Sequence, residues 1–113
     1  MNKNMKKWIS ALRSGKYHQA TDALTDGTGK FCCLGVACQL AAKEGICKKN
    51  GEFYDGEANL LPPKVARWLG LSERRINPSV RVKGFGKISL VELNDDHHYT
   101  FRQIADLIEE QLA

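Results

Sequence analysis

Two adjacent cysteines, Cys32 and Cys33, stand where a glycine-rich turn gives way to an apolar run of helical period. A thiol at a helix N-terminus feels the positive end of the helix dipole, which stabilises the thiolate and makes it a better nucleophile. Downstream, the run Asn94-Asp95-Asp96-His97-His98 supplies imidazole bases and an amide or carboxylate to orient them. Cys32 or Cys33 with His97 or His98, oriented by Asn94, is therefore one candidate catalytic set, for hydrolysis through a covalent thioester. Two features count against it. No glycine or serine beside the cysteines opens them to solvent, and the Asn and Asp immediately precede the histidines, so a triad needs a tight local fold. The competing reading makes LNDDHHYT a polar turn and the cysteines small buried hydrophobes.

The same side chains are poor metal ligands. A Cys₃His zinc shell needs close Cys pairs, whereas Cys33, Cys38 and Cys47 are spread along and beyond a helix. No metal and no cofactor is expected. Two glycine-lysine turns, Asp26–Lys30 and Gly84–Lys87, suggest phosphate loops, but Leu24 and Arg81 occupy the first-glycine positions of a P-loop, and neither lysine is followed by Ser or Thr. They read as surface turns that could at most offer backbone N–H groups to an anion.

A different chemistry lies between residues 64 and 87, where seven basic side chains face Glu73 as their single acid. Arg74, Arg75, Arg81, Lys83 and Lys87, with Phe85 and nearby Trp68, have the basic-plus-aromatic character of a nucleic-acid or nucleotide site. Five more basic residues and no acid fall within residues 1–16, and six acids with Arg102 alone fall from Glu92 onward. Such segregation makes either an anion-binding face or a set of opposite charges that pair within or between molecules.

These residues need elements to hold them. Met5, Trp8, Ile9 and Leu12 repeat at helical spacing, with Asn2 or Asn4 as N-cap and Gly15 as the stop. The flanks of the Asp26–Gly29 turn are expected to pair as a hairpin. Leu34, Ala37, Cys38, Ala41 and Ala42 give a second helix ended by Gly45, and residues 46–60 a loop or small hairpin. Pro63 opens a short helix with Val65, Trp68 and Leu69 pointing inward. Residues 71–87 read as a loop with an extended piece at Val80–Val82. Ser89/Glu92 and Thr100/Gln103 read as capping boxes, the first starting a brief helix and the second a final helix with Phe101, Ile104, Ala105, Ile108 and Leu112 inside. ISLVELND and TFRQIADLI resemble the opening of a helix-turn-helix, but no recognition helix follows, so DNA reading through this motif is not expected.

The 113 residues, 42% of them apolar and 27% charged, suit one folded domain with its own core. No apolar run approaches the roughly 18 residues that span a bilayer. The basic N-terminal segment is broken by Ser10 and Arg13, so it is expected to be a helix rather than a leader. Four cysteines without an export signal point to free thiols in the cytoplasm.

Taken in order, Trp8 and Leu12, FCCLGVACQLA (31–41), LPPKVARWLGL (61–71), ISLVELND (88–95) and TFRQIADLIEE (100–110) resemble a family of small, functionally unassigned proteins of tailed bacteriophages and some bacteria. The likeness spans nearly the whole chain. It implies a compact cytoplasmic protein made in an infected or lysogenic cell and transfers no catalytic residues. By analogy with phage proteins of this size, it suggests an accessory or counter-defence role.

The expected architecture is α+β, a single domain of about four helices with a minor β-hairpin component. The expected function is non-enzymatic binding of an anionic small molecule, such as a nucleotide immune signal, or of a host protein. Trp68, Arg74, Arg75, Arg81, Lys83, Phe85 and Lys87 would carry it. The alternatives are a papain-like cysteine hydrolase and a structural homo-oligomer.

Overall fold

In a computed structural model, which describes residues 2–113, the opening amphipathic segment is a helix, α1 (Lys3–Arg13). Asn2 is its N-cap: the side-chain oxygen accepts from the N–H groups of Asn4 (2.8 Å) and Met5 (3.0 Å). That satisfies donors which have no partner inside the helix. Met5, Trp8, Ile9 and Leu12 are buried. The chain leaves through Gly15, whose φ of +77° suits a residue without a Cβ.

The flanks of the Asp26–Gly29 turn pair as the short antiparallel hairpin expected there: Thr25 bridges Phe31, the Asp26 N–H donates to the Lys30 carbonyl (3.2 Å) and the Cys32 N–H to the Leu24 carbonyl (3.2 Å). In addition, β2 (Lys30–Phe31) pairs in parallel with β1 (His18–Gln19), which was not expected. The Leu24 side chain is fully buried and its N–H donates to the Ala58 carbonyl (2.8 Å), which holds the hairpin to the core.

The second helix, α2 (Cys33–Lys43), is buried at every position from Cys33 to Cys38. A helix apolar on all sides belongs in the middle of a fold, and α1, α3 (Pro63–Trp68) and α4 (Leu90–Asp95) all pack on it. The Trp8 indole N–H donates to the Cys33 carbonyl (2.9 Å), locking α1 to the start of α2. The last helix, α5 (Phe101–Gln111), lies along α1 and against α4, with Phe101, Ile104, Ala105 and Ile108 inside. Thr100 and Gln103 form a complete capping box. At α4 only half of one forms: the Ser89 hydroxyl accepts from the Glu92 N–H, and the Glu92 carboxylate accepts from that hydroxyl rather than from the backbone.

Between α2 and α3, β3 (Lys49–Asn50) and β4 (Phe53–Tyr54) make the small hairpin expected there. Between α3 and α4, the segment expected to be mostly loop is a longer antiparallel hairpin, β5 (Ser79–Val82) with β6 (Gly86–Ser89). The described residues thus hold five helices and three two-stranded sheets, an α+β domain around one continuous core. Trp68 departs from its expected inward position: it is half-buried at the edge of that core, while Val65 and Leu69 on the same turn are fully inside. Among the described residues no helix is long and apolar enough to cross a membrane.

Candidate functional site

The structure places the thiols inside. Cys32 is the N-cap of α2, with its sulfur accepting from the Gly35 N–H (3.4 Å). Cys33 donates its S–H to the Leu90 carbonyl (3.7 Å), and Cys47 to that of Cys38 (3.6 Å). All four cysteines are free and buried. Burial disfavours the charged thiolate and pushes Cys32 from 9.0 up to about 11, outweighing the helix N–H groups that pull the other way. Cys33 and Cys38 are driven up by the same cause. The helix dipole expected to activate Cys32 is present, but desolvation is larger.

Asn94 does reach the cysteine junction, as a brace. Its buried amide is saturated: the oxygen accepts from the Cys33 N–H (3.2 Å) and the Gln19 amide (2.8 Å), and the nitrogen donates to the Ala20 carbonyl (2.9 Å) and the Asp95 carboxylate (2.7 Å). Nothing is left over to orient an imidazole. His97 and His98 lie on the exposed side, with His98 in a left-handed turn (φ +54°) that ends α4, and no hydrogen bond joins either ring to a thiol among the described residues. The structure therefore does not assemble the cysteine hydrolase from Cys32, Cys33, Asn94, His97 and His98. Nor do three metal-ligating side chains converge among the described residues.

The first glycine-lysine turn is also spoken for. The Asp26 carboxylate accepts from the Thr28 N–H and hydroxyl (both 2.8 Å) and from the Lys30 N–H (3.3 Å), so its own pKa is lowered and the loop's donors already have an anion.

The second turn is different. Lys83-Gly84-Phe85 is the loop of the β5–β6 hairpin, and Gly84 and Gly86 both take positive φ, at +94° and +72°. One face of the hairpin puts Val80 opposite Ile88, both buried. The next pair along, Arg81 opposite Lys87, is exposed and carries like charges. Like charges directly opposite weaken a sheet, and no carboxylate forms an ion pair with Arg81, Lys83 or Lys87 among the described residues. Phe85 is 44% exposed, its ring centroid 4.4 Å from that of His97. The strand is steadied from α5, where the Gln111 side chain accepts from the Arg81 N–H (2.7 Å) and donates to the Arg81 carbonyl (2.8 Å).

The expected binding set thus divides. Arg81, Lys83, Phe85 and Lys87 share the hairpin, while Arg74 and Arg75 are exposed in the turn that precedes it. Trp68 lines a shallow hollow with Ile46, Lys64 and Arg67 instead. His97 and Gln111 belong to the hairpin site and were missed, because neither the stacking of His97 nor the reach of Gln111 across 30 residues has a local signature.

Comparison with known families places the chain. A family model described as a domain of unknown function, DUF8296, matches residues 1–112. The chain belongs to that family. No curated protein and no solved structure matches it.

Proposed function

We propose that this chain is a non-enzymatic binding protein whose β5–β6 hairpin engages an anionic partner. The observation that supports the reading is the like-charged cross-strand pair Arg81–Lys87, beside Lys83 and an exposed Phe85, with no acid paired to any of the three cations among the described residues. A folded hairpin gains nothing from that charge arrangement, whereas an acidic surface with an apolar spot would meet cations and an aromatic anchor together. Because these side chains stand exposed on a hairpin, an acidic protein surface suits them better than a small anion. A nucleotide signal is the second choice. On the phage-family resemblance of the sequence, such a partner would be a host-cell component and the chain an accessory or counter-defence factor.

A polyglutamate matrix is a direct probe. Reversing Arg81, Lys83 and Lys87 to Glu should lower the salt needed for elution much more than reversing Lys3, Lys48 and Lys64, which changes net charge equally. Phe85→Ala should lower it further with no change in charge. Equal losses from the two triple reversals would mean that net charge alone governs retention and would sink the hairpin reading.

A further inference from the structure

A second surface lies at the other end of the sequence and is built from residues outside the hairpin. Lys6, Lys7, Ser10 and Ser14 advance by helical steps along α1, beside its buried stripe. Gly15 then turns the chain back, with the Ser14 hydroxyl accepting from the Lys16 N–H (3.1 Å), so that Lys16 and Tyr17 close the end of a groove of about 440 Å³. Ala11, Leu40 and the Tyr17 ring make its apolar lining, and Lys6, Lys7 and Lys16 contribute cations to it. The wall is set in advance: Tyr17 meets Phe31 edge to face at 5.8 Å and 74°, with the Lys43 ammonium 5.8 Å from the Tyr17 ring centroid.

The cations differ in what they have left to give. Lys7 is held by Glu44 at 2.8 Å, and Arg13 at the end of the same helix is taken by Asp106 and Glu109. Lys6 and Lys16 are in no ion pair among the described residues. An open groove of this volume, apolar and aromatic within and holding two uncommitted ammonium groups, has the size and chemistry for one small ligand with a flat apolar part and an anionic end.

We infer that the α1–Tyr17 groove binds a mononucleotide, the base against Tyr17, Leu40 and Ala11 and the phosphate between Lys6 and Lys16 within reach of Ser10. The base supplies a planar apolar face for the aromatic wall, as sequence-tolerant stacking sites do. The phosphate supplies the charge that the two lysines lack. Inorganic phosphate offers the second without the first, and a nucleoside the first without the second, so the site should discriminate against both.

Titration of the isotope-labelled full chain with adenosine 5′-monophosphate, followed by NMR, tests this directly. Saturable shifts are expected within residues 6–17 and at Leu40, with inorganic phosphate and adenosine each binding at least tenfold more weakly. Lys6→Glu with Lys16→Glu should weaken binding at least tenfold while leaving the melting temperature unchanged, since both side chains are exposed. Tyr17→Leu, which keeps the apolar bulk, should weaken it severalfold. The hairpin variant reversed at Arg81, Lys83 and Lys87 should bind as the parent does, so this site and the hairpin reading stand or fall separately. The inference is overturned by phosphate binding as tightly as the nucleotide, by indifference to the Lys6/Lys16 reversal, or by an absence of saturable shifts in this groove.

Discussion

Gly35 shows how one residue ties the most distinctive segment, FCCLGV, to the rest of the molecule. It lies inside α2 with ordinary helical φ, so it is not there for a turn. A Cβ at that position would sit 1.7 Å from the Leu24 carbonyl oxygen, the same oxygen that accepts from the Cys32 N–H (3.2 Å). Helix propensity alone would make Gly35→Ala stabilising by about 1 kcal/mol. Overpacking against backbone costs typically about 1–3 kcal/mol and more where neither side can yield, so the net effect should be a loss of roughly 2 kcal/mol or more. Equilibrium denaturation decides the sign, and a gain would mean that Leu24 does not cross there. The glycine was plain in the sequence but its reason was not, because the crossing strand is 11 residues away and leaves no local trace. The cysteines beside it were legible as helix-start residues. What the sequence could not weigh was the dipole against desolvation, and that balance makes Cys32 a cap and not a nucleophile.

At the scale of elements, apolar periodicity located helices α1, α2 and α5, a proline opened α3, and a capping pair opened α4. The final one, α5, was foreseen from its start at the Thr100 capping box to its buried stripe, because both signals are local and agree. Strand pairing was less legible. Two-residue strands carry no periodicity, so the parallel pairing of β1 with β2 left no local signal. The β6 strand was hidden by its own composition: GKIS has a single buried apolar residue, Ile88, before Ser89 opens α4. Of the expected binding set, Arg81, Lys83, Phe85 and Lys87 fall together on the hairpin, while Trp68 faces a different hollow. Helix α5 offers a sharp test of the packing. Ile104 is fully buried and its neighbour Arg102 is exposed. Ile104→Ala should cost about 2–5 kcal/mol, and Arg102→Ala within about 0.5 kcal/mol of nothing. Comparable losses at both positions, measured by urea unfolding, would place the apolar stripe of α5 elsewhere than against α1 and α4.

For the molecule as a whole, the segregation of charge along the chain resolves in part into internal pairs. Some opposite charges meet internally, Arg13 with Asp106 and Glu109 across α1 and α5, and Lys7 with Glu44 across α1 and α2. These pairs are exposed and contribute little to stability. Among the described residues, Arg81, Lys83 and Lys87 on the hairpin and Lys6 and Lys16 in the groove stay outside these pairs, and the proposed hairpin and groove sites rest on them. Stability rests instead on the core, and the core holds acids that ionise only at alkaline pH. Cys32 and Cys47 are each raised from 9.0 to about 11 by burial, and Cys33, Cys38 and the buried Tyr54 move in the same direction. In the unfolded chain the thiols ionise near 9.0, where the folded chain still keeps its protons. Between about 9 and 11 the unfolded state therefore binds fewer protons than the native state, and stability falls as pH rises. Below 9.0 both states keep the thiol protons, and this contribution is fully present. The melting temperature should thus be level on the neutral side and drop steeply across that alkaline window. Cys32→Ala combined with Cys47→Ala should flatten the drop while lowering the plateau. Thiolate absorbance of the native protein should stay low at pH 9.0 and appear only with unfolding. If the native protein instead showed thiolate absorbance near the ordinary thiol value with no loss of structure, at least one cysteine would be open and acidic. The junction of Cys32 and Cys33 would then regain its claim to chemistry.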